Sequence, residues 1–166
     1  MKYCPECASE MNTRTIDIEK RLACSQECGY VFWNNPVPVS VALIEINGKF
    51  LLARNASWPK GFFSLISGFI ETGESPEITI KRETEEELGL KATSVEFIGH
   101  FPFPQMNQLM IAYFVKAEGK INLSEELSEY IILSKAELES YDFGVLKLGR
   151  IVVEQWLSKN SHKNIT

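Results

Sequence analysis

The sequence contains no long apolar run and no excess of positive charge. Its 166 residues include 17 Lys and Arg against 22 Asp and Glu, which gives a formal charge of −5. A chain of this sign is not expected to hold a nucleic-acid duplex on a basic surface or to lie on an anionic membrane. A membrane-spanning helix needs about 20 apolar residues. The longest candidate, residues 37–46, is interrupted by Pro38 and Glu45.

The first residues also lack the pattern of a secretory signal. Met1 is not followed by an apolar core and a small-residue cleavage site. The hydrophobic share of 45% is nevertheless too high for a disordered chain. We therefore expect a soluble, cytoplasmic globular protein without a membrane segment.

All of the cysteines lie near the N-terminus, at Cys4, Cys7, Cys24 and Cys28. Two close pairs with sixteen residues between them are typical of a zinc ribbon, in which four thiolates enclose a structural Zn²⁺. Two structural disulfides are the alternative, which the missing secretory signal disfavours. Residues 15–19 alternate polar and apolar side chains, as a strand of a short hairpin does. We predict a zinc ribbon over residues 1–34, followed by a linker at residues 34–38.

Residues 35–166 alternate between strand and helix patterns. Strands are predicted at residues 39–46 and 49–53, joined by the hairpin signal Asn47-Gly48. Further strands are predicted at residues 95–103 and 108–115, a short helix at residues 134–140, and a closing helix at residues 145–157. Interleaved strands and helices indicate an α/β layer structure.

One further helix carries clear end signals. Ser75 is a suitable N-cap, Pro76 suits the first helical position, and Gly89 suits the position just after the last turn. An apolar stripe of Ile80, Thr84 and Leu88 recurs every four residues and is expected to pack on the sheet.

Three carboxylates share another flank of this helix. Glu83, Glu86 and Glu87 are related as i, i+3 and i+4, a spacing at which like charges cost a few tenths of a kcal/mol per pair. Oxygen ligands on a rigid helix suit Mg²⁺ or Mn²⁺, which would offset this repulsion. A solvated acidic face is the alternative, and it fits Glu85, which follows Lys81 by one turn.

The segment that contains this helix resembles the Nudix box, G-x5-E-x7-R-E-U-x-E-E-x-G-U, where U is a bulky apolar residue. The matching positions are Gly68, Glu74, Arg82, Glu83, Glu86, Glu87, Gly89 and Leu90. Thr84 stands where a larger apolar residue is usual, a departure that concerns packing. The resemblance implies a Nudix α/β/α sandwich with a mixed β-sheet. It also implies divalent-metal-dependent hydrolysis of a nucleoside diphosphate linked to another group.

The resemblance also implies roles for individual residues. Glu83, Glu86 and Glu87 would hold the catalytic metals, together with the backbone carbonyl of Ser67. Arg82 would orient a glutamate, and Glu74 would support the junction between loop and helix. Either Glu86 or Glu87 would act as the general base.

A four-cysteine ribbon before such a domain resembles the NADH pyrophosphatase branch of the family. That branch carries S-Q-P-W-P-F-P-x-S after the box, whereas residues 100–106 here read H-F-P-F-P-Q-M. The resemblance implies substrate contacts from Phe101, Phe103 and Gln105. The alternative is an ordinary core aromatic for one of the two phenylalanines, since strand neighbours point to opposite faces.

A further acidic residue of this branch falls at Glu126, which would add a metal contact. Glu125 and Glu129 are near alternatives for the same position.

The resulting expectation is a pyrophosphohydrolase acting on NADH or a related dinucleotide. NAD-capped RNA 5′ ends are a further expected substrate, and a homodimer is the state that related enzymes suggest. The incomplete S-Q-P-W segment keeps ADP-ribose or another nucleoside diphosphate derivative as an alternative substrate. A zinc-ribbon binding module with an inactive Nudix domain is the alternative from a different functional class.

Overall fold

The structure, a computed structural model, describes residues 1–144 and 147–161. The chain divides into two compact units, Met1–Asn35 and Pro36–Thr166. Among the described residues, the helices are all too short or too polar to cross a membrane.

The first unit is a small antiparallel sheet with strands β1 (Met11–Ile16), β2 (Glu19–Cys24) and β3 (Val31–Phe32), in that spatial order. Asp17 and Ile18 form the turn between β1 and β2, both with positive φ. The predicted strand over residues 15–19 is therefore wrong, because this segment contains the turn of the hairpin. The alternation arises from the ends of two strands rather than from one.

Within its described residues, the second unit contains six strands and three helices. The strands are β4 (Val37–Ile46), β5 (Lys49–Asn55), β6 (Ile66–Phe69), β7 (Lys91–Phe103), β8 (Gln108–Glu118) and β9 (Leu127–Leu133). The helices are α1 (Pro76–Leu88), α2 (Lys135–Ser140) and α3 (Leu148–Ser161). A short 3-10 turn, Pro104–Met106, connects β7 to β8.

The strands form one mixed sheet in the order β7-β8-β4-β5-β9, and β6 also pairs with β4. The pair β4–β8 is parallel, and the other pairs are antiparallel. Successive residues of β4 point to opposite faces: Val41 and Leu43 join one apolar core, whereas Ala42 and Ile44 join another. The first core includes residues of α2 and α3, and the second includes residues of α1. The fold is therefore the expected Nudix α/β/α sandwich with a mixed sheet.

Most elements of this unit lie where the sequence predicts them. The Asn47-Gly48 turn joins β4 to β5 with positive φ at both residues, and Ser134 caps α2 through a capping box with Glu137. The predicted linker at residues 34–38 is wrong at its end, because β4 already begins at Val37. The closing helix begins at Leu148, and Val145 lies outside the described residues. Strand β9 is not among the elements predicted from the sequence.

Candidate functional site: a carboxylate cluster on helix α1 beside an apolar cavity

Helix α1 presents its glutamates on a fixed frame. The Ser75 side chain accepts a hydrogen bond from the Ile78 amide, and Gly89 closes the other end in the left-handed conformation. The predicted apolar stripe is confirmed, since Ile80, Thr84 and Leu88 are fully buried. The Thr84 hydroxyl is satisfied there by the Ile80 carbonyl at 2.6 Å. This stripe packs on the sheet, and the glutamates lie on another flank of the helix.

Arg82 is the centre of the charge network on this flank. Its Nε and Nη2 donate to both carboxylate oxygens of Glu74, at 2.8 and 3.0 Å. Its Nη1 donates to Glu83 at 2.8 Å and to Glu86 at 2.9 Å. The bonds from Arg82, with a further bond from the Thr79 hydroxyl, lower the pKa of Glu74 to about 2. Arg82 is thus anchored by Glu74 and reaches two of the three helix carboxylates.

Glu83 packs directly on the strand that precedes the helix. A Cβ on Gly68, in β6, would overlap the side chain of Glu83, so only glycine allows this contact. The carboxylate lies beside the backbone next to Ser67, whose carbonyl is the predicted further ligand. The fold thus brings Ser67 and Glu83, which are far apart in the sequence, into one place.

The carboxylates repel one another. Burial, followed by the negative charges of Glu83, Glu126 and Glu86, raises the pKa of Glu87 to about 7. Burial also raises the pKa of Glu83, against the opposing effect of Arg82. This part of the surface therefore holds more negative charge than its own cation compensates.

The fourth carboxylate comes from the loop before β9. Glu126 is exposed, and its backbone carbonyl accepts a hydrogen bond from the Ala56 amide at 2.7 Å. Its charge acts on both Glu83 and Glu87. Of the two alternatives in sequence, Glu129 instead pairs with Arg54 at 2.7 Å.

The donor set fits a hard divalent ion. Carboxylate oxygens and a backbone carbonyl are the ligands that Mg²⁺ and Mn²⁺ prefer, and the mutual repulsion is what a divalent cation would relieve. One oxygen of Glu83 and one of Glu86 are bonded to Arg82. Among the described residues, the ligand atoms that lie close enough to hold one ion are those of the four cysteines, so the carboxylates are not gathered around a common point.

The four cysteines form a much tighter group. Their sulfur atoms all lie within 4.8 Å of one another, with Cys4 and Cys28 at 3.5 Å and Cys7 and Cys24 at 3.4 Å. These distances exceed the roughly 2.05 Å of a disulfide. In a tetrahedral site with Zn–S distances of about 2.3 Å, neighbouring sulfur atoms are about 3.8 Å apart, which is close to the distances found here. The thiols are free, and their arrangement fits a structural zinc ion.

The second unit contains a mainly apolar cavity of about 260 Å³. Its walls include Trp58, Phe62, Phe103 and Met110, and Ser67 lies at its edge. A smaller cavity of about 50 Å³ is lined by Glu87, Ser67 and Trp58. Trp58 and Ser67 therefore belong to both, and they mark the boundary between the charged part and the apolar part of the site.

The predicted substrate residues are separated by the fold. Phe103 lines the apolar cavity, whereas Phe101 packs against the core and Gln105 is exposed on the 3-10 turn. The expectation that the two phenylalanines face opposite ways is wrong. They are two residues apart in β7, and both pack against the same core.

The aromatic residues of the loop between β5 and β6 are not among the site residues predicted from the sequence. Trp58 and Phe62 meet edge to face, with ring centroids 5.3 Å apart. A signal was available: two large aromatic residues flank Pro59-Lys60-Gly61 in a loop, where burial in a core does not explain them.

Residues 34–151 match the family model described as "NUDIX domain". A crystal structure of a NUDIX hydrolase from Nitrosomonas europaea has the same fold with a TM-score of 0.82. The two sequences are 22% identical, and the alignment covers 98% of this chain and 93% of the other.

Two curated relatives show which members of that family the sequence is similar to. The human "NAD(P)H pyrophosphatase NUDT13, mitochondrial" is 34% identical over 101 residues, 60% of this chain and 29% of the relative. The "NAD-capped RNA hydrolase NudC" of Pseudomonas aeruginosa is 31% identical over 126 residues, 75% of this chain and 44% of the relative. The chain thus spans less than half the length of these relatives.

Proposed function

The chain belongs to the Nudix hydrolase family, and from this premise we propose that it is a divalent-metal-dependent pyrophosphohydrolase. Its proposed substrates are dinucleotides of the NADH and NAD type, including NAD-capped RNA 5′ ends. The names of the curated relatives, which contain both activities, support this choice. The observation that supports this proposal most is a set of four carboxylates whose charges act on one another, near a cavity that suits an aromatic ring: Glu83, Glu86, Glu87 and Glu126.

Mg²⁺ or Mn²⁺ would be held by these four carboxylates and by the Ser67 carbonyl. When bound, such an ion offsets the negative charge of the phosphoanhydride and makes a water easier to deprotonate. Glu86 and Glu87 are the candidates for the base that accepts this proton. Arg82, anchored on Glu74, would orient Glu83 and Glu86 for these roles.

The organic part of the substrate would occupy the apolar cavity. Ligand cavities of roughly 300 to 1,000 Å³ hold drug-sized molecules, so about 260 Å³ suits one ring system. Phe103 is the predicted substrate residue that lines it, with Trp58 and Phe62 as further aromatic walls. Phe101 and Gln105 do not line this cavity, so they are weaker candidates for direct contact with the substrate ring.

We also propose that residues 1–34 form a structural zinc ribbon and residues 35–166 the hydrolase domain. A zinc ion held by Cys4, Cys7, Cys24 and Cys28 would have no open position for substrate, so its role would be structural. A reducing cytoplasm, the expected location, would keep these thiols available for zinc. A homodimer remains a prediction that light scattering on the purified chain would test.

The first test is a product assay with NADH, NAD⁺ and ADP-ribose in Mg²⁺ or Mn²⁺. Hydrolysis within the diphosphate of NADH or NAD⁺ releases a nicotinamide mononucleotide and AMP. Turnover of ADP-ribose alone would favour the alternative substrate. No turnover of any diphosphate substrate would favour the binding module.

The second test is the variant Glu87→Gln, which keeps the shape of the side chain and removes its charge. We expect turnover to fall at least about 100-fold, because the loss of even an outer-shell partner of a metal ligand costs about 10- to 100-fold. Glu85→Gln, an exposed position on the same helix, is the matched control and should keep wild-type activity. Equal turnover in wild type and Glu87→Gln on every substrate would contradict the metal-site assignment.

A further inference from the structure

Arg54 is a buried cation outside the Nudix box. It lies in β5 with only 7% of its surface exposed. Its Nη2 donates to Glu129 in the neighbouring strand β9 at 2.7 Å, and its Nη1 donates to the backbone carbonyl of Trp58 at 2.9 Å. Its Nε is buried without a hydrogen-bond partner among the described residues. The guanidinium therefore joins a strand of the sheet to the loop that carries Trp58.

A buried ion pair is a poor explanation for this arginine by itself. Replacing such a pair by apolar side chains is often neutral or stabilising, because both charges lose their hydration. Glu129 moreover keeps 49% of its side-chain surface exposed, so the pair is only half shielded from water. The bond from Arg54 to the Trp58 carbonyl gives the guanidinium a second task, which an apolar residue could not perform.

The strands are irregular at this point. Arg54 pairs with Glu129 and Asn55 pairs with Leu127, so the register shifts at a β-bulge in β9, and β5 ends directly after it at Asn55. The Trp58 amide donates to the Asn55 carbonyl at 2.9 Å, which closes the loop into a tight turn. The Ala56 amide donates to the carbonyl of Glu126. The turn that holds Trp58 is therefore bonded both to the Arg54 side chain and to the backbone of Glu126.

We propose that Arg54 is a positioning residue that holds Trp58 at the boundary between the carboxylate cluster and the apolar cavity. Trp58 lines both cavities, so a shift of its backbone would change the wall against which the substrate ring packs. Arg54 itself lines neither cavity and acts through Trp58. The inference rests on the proposed function, because it assigns the apolar cavity to the ring of the diphosphate substrate.

A double-mutant cycle tests this coupling. The variants are Arg54→Met, Trp58→Ala and the combination of both, with kcat and KM measured for the best dinucleotide substrate. We expect Arg54→Met to raise KM about tenfold with little change in kcat, the size of one lost charge-assisted hydrogen bond. In the Trp58→Ala background the same change should have no further effect, because the wall that Arg54 holds is already gone.

Two further variants separate positioning from folding. Lys159→Met is the matched control: Lys159 also donates to a backbone carbonyl, that of Ile98 at 2.7 Å, but lines neither cavity. It should leave KM unchanged. Glu129→Gln removes the ion pair while leaving the Arg54–Trp58 bond, so it should lower the melting temperature without raising KM. If Arg54→Met does not fold, Arg54→Lys takes its place in the cycle, with a smaller rise in KM that also vanishes in Trp58→Ala.

The outcomes distinguish this inference from the proposed function. If Arg54→Met raises KM by the same factor in the wild-type and Trp58→Ala backgrounds, the positioning role is overturned. The proposed hydrolase function would not be affected by that result. An unchanged KM in Arg54→Met would overturn it as well. If the wild-type chain cleaves no dinucleotide, the proposed function fails. The cycle is then repeated with the dissociation constant of AMP, measured by calorimetry. Equal effects of Arg54→Met on this constant in the wild-type and Trp58→Ala backgrounds would overturn the role of Arg54.

Discussion

At the scale of single residues, the site depends on side chains that are held in place by hydrogen bonds and packing. Arg82 is fixed by two bonds to Glu74 and can therefore hold Glu83 and Glu86 in defined positions. Glu83 in turn packs where any side chain on Gly68 would stand. The absence of a Cβ at Gly68 is thus part of the site, although glycine contributes no chemical group.

The variant Gly68→Ala tests this point. Its methyl group would displace the carboxylate of Glu83, and misplacement by about 1 Å can lower a rate 100-fold. We expect kcat to fall by about that factor in steady-state assays. Gly48→Ala is the control, because its methyl group meets nothing within 4 Å but its positive φ strains the hairpin turn. This control should lose stability and keep kcat; a wild-type kcat in Gly68→Ala would contradict the packing argument.

At the scale of elements, helix α1 is specified almost completely by its own sequence. Its cap, its first proline and its final glycine are local signals, and they set the bounds that the structure shows. The final glycine has φ of +66°, and a Cβ there would lie 3.1 Å from Cβ of Asn122. The end of the helix is therefore specified by backbone conformation and by packing together.

The variant Gly89→Ala should lower the free energy of unfolding by about 1 to 2 kcal/mol, the cost of a left-handed conformation for a residue with a Cβ. Urea unfolding of the purified chain would measure it. Gly89→Asn should be milder, because asparagine adopts this conformation more readily. If the two variants were equally stable, the contact with Asn122 would outweigh the backbone strain.

Other elements could not be predicted from local signals. The turn at Asp17 and Ile18 has positive φ at both residues, which is rare for a β-branched isoleucine, and it lacks the glycine that usually marks a hairpin. The sequence of strand β9 shows no alternation of polar and apolar residues, and only its first residue is buried. The strand is defined by its pairing with β5. Trp58 and Arg54 reach the site in the same way, through contacts between distant segments. The Nudix box was predictable because its residues lie together in the sequence.

At the scale of the whole molecule, the two units depend on different sources of stability. The unit of residues 36–166 buries two apolar cores, one on each face of its sheet. The unit of residues 1–35 buries few apolar side chains, namely Cys4, Met11, Ala23 and Cys24, with some half-buried neighbours. A unit of this size needs a bound metal or a cross-link to remain folded.

We therefore expect one zinc ion per chain by elemental analysis. Cys24→Ser should abolish zinc binding and unfold residues 1–35, while the thermal transition of residues 36–166 persists. Ser25→Ala, next to the same cysteine, should keep the zinc. Hydrogen exchange would show which residues lose protection, and a zinc-free chain with residues 11–24 still protected would contradict the prediction.

The parallel pairing of β4 with β8 has a consequence for how the chain folds. β4 is the central strand, yet the strand that covers one of its edges follows only after β5, β6, α1 and β7. Closing a loop of this length must precede most of the favourable contacts, which slows the rate-limiting step. On a ribosome, the helix with the acidic residues would emerge well before the sheet beneath it could be completed. A nascent chain that stops short of β8 would therefore present an open central strand to chaperones.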